Sequence, residues 1–152
     1  MKPVRNSAKA LIIKDNLLLV IKLIDEIGAW YILPGGGQNP GETLVEALQR
    51  ECLEEVGLEV EVGDLLFVRE YIGKNHEFWE HDADSHQVEF IFDCSIKGDN
   101  LPRIGTSPDI DQIDIEWISL QEIMNFRLYP KALIHILIDR QAENRKYLGD
   151  VN

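Results

Sequence analysis

Positive charge is what this chain has least of. It carries 15 Lys and Arg against 27 Asp and Glu, a formal net charge of −12 over 152 residues. That balance argues against broad nucleic-acid binding, which rests on Lys and Arg, so no DNA partner is expected. It also repels an anionic substrate unless a metal or local basic groups offset the field. Cysteine is scarce too. Cys52 and Cys94 fall on expected core positions and read as free buried thiols, not a disulfide framework. No apolar run approaches the roughly 18 residues of a membrane span. The N-terminus, MKPVRNSAKALIIK, lacks the apolar centre and small-residue cleavage site of a signal peptide, so cytoplasm is the expected compartment. Internal repeats, low-complexity tracts and linkers are missing as well, and 1–152 reads as one compact domain with a real core.

What is present is concentrated between Gly35 and Leu58, GGGQNPGETLVEALQRECLEEVGL. Pro40-Gly41 is turn chemistry. Thr43 with Glu46 three residues on is a capping box, in which hydroxyl and carboxylate each serve the other's amide. Gly57 is a natural stop because it enters the left-handed region without a Cβ clash. The spacing predicts a helix over 44–56. At about 100° per residue, Glu51, Glu54 and Glu55 fall on one narrow arc, and Val45, Leu48, Cys52 and Val56 on the neighbouring, core-facing one. Like charges at these spacings repel, and a hard divalent cation, Mg²⁺ or Mn²⁺, is the simplest offset. A solvated acidic face is the plain alternative, but it leaves the glycines unexplained. Gly35, Gly36, Gly37 and Gly41 let backbone approach a ligand closely, and the capped helix ties them to the acids.

The same stretch resembles the Nudix box, Gly-x5-Glu-x7-Arg-Glu-apolar-x-Glu-Glu-x-Gly-apolar, at every fixed position from Gly36 to Leu58, with Cys52 in the first apolar slot. Trp30-Tyr31-Ile32-Leu33-Pro34 before it and Glu116-Trp117-Ile118 late in the chain are similar to the family more loosely. The resemblance implies an α/β/α sandwich with a mixed β-sheet and a loop-helix-loop. It also implies metal-dependent hydrolysis of nucleoside diphosphates linked to another moiety. It makes Glu51, Glu54 and Glu55 metal ligands, gives Arg50 the task of holding one of those carboxylates, makes Glu42 a buried helix-anchoring acid, and lends the backbone of Gly36 to metal or phosphate.

Around the box the chain predicts strands over 7–14 and 17–23, joined as a hairpin at Asp15-Asn16. Further strands are predicted over 29–33, 58–62, 65–71, 86–96 and 113–118. Ser119 with Glu122 suggests a second capping box and a short helix to about Asn125. Pro130 opens a C-terminal helix to about Lys146, whose wide apolar band at Leu133, Ile134, Ile136, Leu137 and Ile138 suits either the sheet or a second copy; a monomer and a homodimer both fit. Two long loops, 73–85 and 97–112, are of the length that function usually explains.

Phosphoanhydride hydrolysis needs charge neutralised, water placed in line and a base. Glu51 is the first candidate base, with Asp111, Asp109 and Glu89 behind it; Asp111 is equally suited to turn chemistry. Gly37, Arg5, Tyr31 and Trp79 join Gly36 as candidate substrate contacts, Trp79 or its neighbour Phe78 as a stacking surface. Lys22 is a further phosphate candidate. His76, His81 and His86 are ligands, bases or plain surface histidines, and Trp117 reads as core. Nucleoside triphosphates, ADP-ribose, nucleotide sugars and capped RNA all remain open as substrates. A nucleotide-sensing module that binds without hydrolysis is the alternative, though such modules typically lose box carboxylates and these are all present.

Overall fold

A computed structural model describes residues 2–139 and 144–152. The first strand, β1 (Arg5–Lys14), turns at Asp15-Asn16 into β2 (Leu17–Ile24). Both turn residues have positive φ, 51° and 62°, as a tight two-residue hairpin requires. The hairpin pairing is brief, Ile13 with Leu18 and Lys14 with Leu17. Below it β1 runs parallel to β6 (His86–Ile96), from Arg5 opposite Gln87 to Ile12 opposite Cys94. β2 leaves the other way, between β3 (Ala29–Ile32) and β7 (Gln112–Ser119), antiparallel to both. β1 therefore belongs to two mixed sheets that curl apart. The glycines Gly35–Gly37 form a short β4 on β1, β5 (Val60–Ile72) lies antiparallel to β6, and β8 (Leu128–Tyr129) lies parallel to β3.

The helices close the sandwich, as expected for an α/β/α layer order. The helix α1 (Leu44–Val56) lays Leu48, Cys52 and Val56 against Ala8, Ala10, Ile12, Leu19 and Ile21. On the opposite side Leu133 and Leu137 of α2 (Ala132–Ile138) meet Leu11, Leu18 and Val20. Alternate residues of β2 thus enter opposite cores, which is why Leu17–Ile21 is a continuous apolar run, not an alternation. Cys52 and Cys94 are free and buried.

Several expectations need correction. Val45 is 40% exposed, and Ala47 takes the core position instead. The strands expected over 58–62 and 65–71 are one strand, β5, kinked by irregular register between Val62 and Phe67; Gly63-Asp64 makes a bulge, not a turn. Ser119 accepts the amide of Gln121, and a 3₁₀ turn over Ile123–Asn125 replaces the expected capped helix. The C-terminal helix ends at Ile138. Residues 140–143 of its expected span lie outside the described residues, and Tyr147–Asp150 form a strand, β9, parallel to β5. Four residues are too short to show a period. Of the wide apolar band, Leu133, Ile136 and Leu137 are buried within the chain. Among the described residues no helix is long and apolar enough to cross a membrane.

The loop after β2 is stapled to the residue before β8. Arg127 grips Asp25 with two parallel bonds, Nη1 to Oδ1 at 2.9 Å and Nη2 to Oδ2 at 2.6 Å. This bond, helped by the amides of Ile27 and Gly28, lowers the Asp25 carboxyl from 3.8 to about 2. A depressed carboxylate stabilises the fold above its unfolded pKa and loses that contribution as pH falls through the folded one. Asp25→Asn is therefore expected to melt below the natural chain at pH 5–7. The gap should close as pH drops from about 4 to about 2, which melting curves across that window will check; a pH-independent gap would show that the charge is not what matters.

Candidate functional site

The acidic helix is held at both ends. At its start Thr43 Oγ1 accepts from the amide of Glu46 at 3.2 Å, and Glu46 Oε2 accepts from the amide of Thr43 at 2.8 Å, completing the capping box. At its end the long loop after β6 supplies donors to carbonyls that the helix leaves unpaired. The amides of Arg103, Gly105 and Ser107 reach the carbonyls of Val56, Glu55 and Glu54 at 2.9, 3.2 and 3.0 Å. Gln112 Nε2 adds a second bond to the Glu55 carbonyl at 2.9 Å. A Cβ on Gly105 would strike the Glu54 carbonyl. This loop is thus the C-terminal cap of α1, and it brings Asp109 to Glu55 and Asp111 to the lining of a cavity.

One arginine organises the acids. Arg50 Nε and Nη2 bond Glu42 at 2.6 and 3.0 Å, Nη1 bonds Glu51 at 2.9 Å and Glu54 at 3.2 Å, and Nη2 also reaches the carbonyl of Gly37 at 2.9 Å. The Arg50 bond pulls the Glu42 carboxyl down to about 2. Glu42 is half-buried, so the deeply buried acid expected there is instead Glu55, at 1% exposure. Glu55 Oε2 accepts from the amide of Gly35 at 2.9 Å, which fastens the helix to the glycine strand. Its Oε1 is buried without a hydrogen-bond partner. Burial pushes Glu55 up to about 8, against the pull of Lys9 and of the Gly35 amide; Asp109, close enough to share a proton with it, pushes the same way.

These residues suit a hard divalent cation. The buried Oε1 of Glu55 and the neighbouring Asp109 carboxyl form an oxygen-rich place that a hard cation would relieve in exchange for the proton. The space beside Glu51 is kept by Gly36, since a Cβ there would stand 2.5 Å from the Glu51 carboxyl carbon. Among the described residues no three carboxyl, imidazole or thiol groups already form a cage; Glu51 and Glu54 are bonded to Arg50.

A cavity of about 620 Å³ lies among β3, β5 and β6, and Glu51, Glu54 and Glu55 do not line it. Trp30, Phe78 and Tyr129 form an aromatic wall, Phe78 and Trp30 meeting Tyr129 edge-on at 5.3 and 5.9 Å. Arg69, Glu89 and Gln87 line its inner end, and Asp25, His81 and Asp111 also line it. Lys9 links the two places: its Nζ bonds the Gly35 carbonyl at 3.1 Å, and its charge acts on both Glu55 and Glu89.

Sequence-based candidates divide accordingly. Glu51, Glu54, Glu55, Arg50, Gly36 and Gly37 come together, and Arg5 lies over Gly37, where a Cβ would run into its guanidinium. Asp109 reaches Glu55, Asp111 lines the cavity, and Glu89 belongs to the cavity's inner end. Tyr31 is buried against Phe126, outside the cavity. Trp79 is 56% exposed and points away, and its neighbour Phe78 faces in. Lys22 bonds Glu116 at 2.6 Å. His76 and His86 are paired with Asp150 and Glu70, and His81 lines the cavity. Trp117 packs on the core. Lys9, Arg69 and Tyr129 were missed. Lys9 is a single cation inside an otherwise apolar strand, and Arg69 an inward-facing charge between aromatics; both patterns are visible in the sequence. Tyr129 shows no such signal.

The NUDIX domain family model matches residues 3–137, and the chain belongs to that family. It is 52% identical over 58 residues to the 8-oxo-dGDP phosphatase NUDT18 of Homo sapiens, a match covering 38% of this chain and 18% of that protein. The chain thus spans less than a fifth of the length of that relative. It is 29% identical over 146 residues to the RNA pyrophosphohydrolase of Rickettsia africae, covering 86% of this chain and 83% of that protein. Among solved structures, the MutT protein of Methanosarcina mazei shares the fold with a TM-score of 0.68 at 23% identity, over 95% of this chain and 98% of that one.

Gly36→Ala tests the geometry of the acids. The added methyl must displace the Glu51 carboxyl, so Mn²⁺ affinity is expected to fall by about tenfold or more, with the melting temperature of the metal-free protein little changed. Titration with Mn²⁺ followed by electron paramagnetic resonance measures it. Undiminished affinity would remove Glu51 from the ligand set.

Proposed function

We propose that this chain is a metal-dependent hydrolase that cleaves a phosphoanhydride bond in a nucleotide, one in which a nucleoside diphosphate is joined to a further phosphate or other group. One observation carries the reading: a carboxylate face whose buried Glu55 is locked to a glycine strand is linked through Lys9 to the Glu89 end of an aromatic-lined cavity of about 620 Å³. The family supports it, as do relatives whose names describe a nucleotide phosphatase and an RNA pyrophosphohydrolase.

In this reading Glu51, Glu54 and Glu55 hold Mg²⁺ or Mn²⁺. The bound cation neutralises phosphate charge and lowers the pKa of water. Glu51 takes the proton from the attacking water; Asp111 is the next candidate for that base, and Asp109 instead shares the environment of Glu55. Arg50 fixes the directions of Glu51 and Glu54 and returns a positive charge to an acidic helix. The backbone of Gly36 and Gly37, with Arg5 above it, receives phosphate. Tyr129, Trp30 and Phe78 take the apolar surface of the nucleoside, the role that the sequence suggested for Tyr31 and Trp79.

The test is a phosphate- and pyrophosphate-release panel with each metal, over nucleoside triphosphates and diphosphates, ADP-ribose, nucleotide sugars and triphosphate-ended RNA. Glu54→Gln is expected to lose on the order of 10²-fold or more in kcat, because the metal supplies several kcal/mol of transition-state stabilisation. Its melting temperature should hold, since Glu54 makes one surface ion pair. Normal turnover in that variant would overturn the metal assignment. Tight nucleotide binding with no hydrolysis across the panel would favour the sensing module.

A further inference from the structure

The inner end of the cavity is charged. Arg69 and Glu89 are opposed residues of β5 and β6, with Arg69 Nε donating to Glu89 Oε2 at 2.6 Å. They are only 6% and 7% exposed. A cross-strand staple is the ordinary use of such a pair. Buried ion pairs, however, rarely stabilise a fold more than apolar residues of similar volume, because both ions lose their hydration. Here the pair lines a cavity that it shares with Trp30, Ile32, Phe78 and Tyr129 on its apolar side and with Asp25, Asp82 and Asp111 among its polar residues.

The pair is also held more firmly than a staple requires. The Arg69 guanidinium lies over the Tyr71 ring, 5.6 Å from its centroid, and its Nη1 donates to the carbonyl of Val151. Val151 follows β9, whose Asp150 accepts from the amide of Ile72 at 2.9 Å and from Asn75 at 2.7 Å, and pairs with His76 at 2.6 Å. The C-terminal strand therefore fixes the guanidinium, and the guanidinium fixes the carboxylate. Burial works against the Glu89 charge, but Arg69 and Lys9 outweigh it and hold its pKa below the ordinary value. Glu89 is accordingly a preorganised, acceptor-only group aimed into a slot with aromatic walls. Gln87, two residues along the same strand face, stands beside it. Trp30 Nε1 and Asn152 Nδ2, from two other lining residues, are buried donors without hydrogen-bond partners among the described residues.

We infer that the Arg69–Glu89 pair is the specificity determinant of this cavity, and that it selects a nucleobase with two adjacent N–H donors on one edge, the guanine pattern. An ionised carboxylate accepts and does not donate. Guanine offers it N1–H and the 2-amino group side by side, and turns O6 toward donors. Adenine sets the N1 lone pair where guanine has its N1–H, which a carboxylate repels. Hypoxanthine keeps N1–H but lacks the 2-amino group, so it isolates one bond of the pair. The inference rests on the nucleotide-hydrolase reading above and narrows its substrate.

The experiment compares kcat/KM for GTP, ITP and ATP with Mg²⁺ in the natural chain and in Glu89→Gln. The natural chain is expected to prefer GTP over ITP by about tenfold or more, since a site built for a hydrogen bond rejects the analogue that lacks it. ATP should be poorer still. In Glu89→Gln, which keeps the side-chain volume and an oxygen for Arg69, the GTP-to-ITP ratio should fall toward one, mainly through KM. A pair that merely staples β5 to β6 would lower all three rates together and leave the ratio intact. Equal use of GTP and ITP by the natural chain overturns the inference whether or not the variant folds, as does a preference unmoved in the variant. If none of the three is hydrolysed, equilibrium binding of GDP, IDP and ADP to the natural chain reads the same selectivity. Hydrolysis thus judges the enzyme, and base discrimination judges the pair.

Discussion

The Arg50 guanidinium is the interaction on which the acidic face depends. Two unit charges about 4 Å apart near a protein surface interact by roughly 4 kcal/mol, so carboxylates gathered on one turn of helix would disfavour that turn without a cation among them. Arg50 meets Glu42, Glu51 and Glu54 at once and closes the network on the Gly37 carbonyl. Glu55 lies outside that network. Its compensation is a single amide from Gly35, the distant charge of Lys9 and no donor at Oε1. One guanidinium is thus shared among three carboxylates, and Glu55 is bonded to no cation among the described residues. The same amide that partly satisfies Glu55 clamps helix to glycine strand, so the shortfall sits at the most rigid point of the site.

That rigidity comes from β1. The strand pairs with β6 and with the glycine strand along one sheet, and reaches the other through the hairpin at its end. Because the sheets diverge from it, a space remains between their inner faces, and the cavity occupies it. Lys9, in the middle of β1, faces that divide with Glu55 on one side and Glu89 on the other. In the proposed reading, phosphate chemistry and base recognition would be linked through this one cation. The long loop after β6 adds the remaining acids because it must in any case cap α1; Asp109 and Asp111 arrive with the amides that serve the Glu54, Glu55 and Val56 carbonyls.

What was legible in the sequence is what short-range chemistry decides. The bounds of α1, its capping box and its glycine stop follow from a dozen adjacent residues, and so do the hairpin turn and the gathering of Glu51 with Glu54. Which acid would be buried did not follow, because the periodicity places Glu55 next to the core arc without saying that the glycine strand packs over it. Phe78 and Trp79 show the same limit. They are neighbours of similar character, and the one that faces the cavity is set by how the 73–85 connection folds back, with the amide of Gly73 on the carbonyl of Ser85. The C-terminal strand escaped for a related reason: its four residues carry no period, and its place is set by bonds to β5, some 80 positions earlier in the chain, such as Arg69 to Val151.

The net charge of −12 remains to be reconciled with an anionic substrate. A uniformly acidic surface would repel it, but potential at a site is set by the nearest charges and their burial, beyond which salt screens within about 10 Å. The nearest cations are Arg5 at the glycine strand, Lys9 on the divide, Arg50 on the helix and Arg69 at the cavity's inner end. Arg50 is bonded to Glu42, Glu51 and Glu54, Arg69 is bonded to Glu89, and Lys9 acts on Glu55 and again on Glu89. The protein alone therefore offers a phosphate chain little uncommitted positive charge. An acidic site of this kind attracts a divalent cation first and a polyphosphate second, or the two as a complex. In the proposed reading, the excess of acid that disfavours a free nucleotide would favour a metal-bound one.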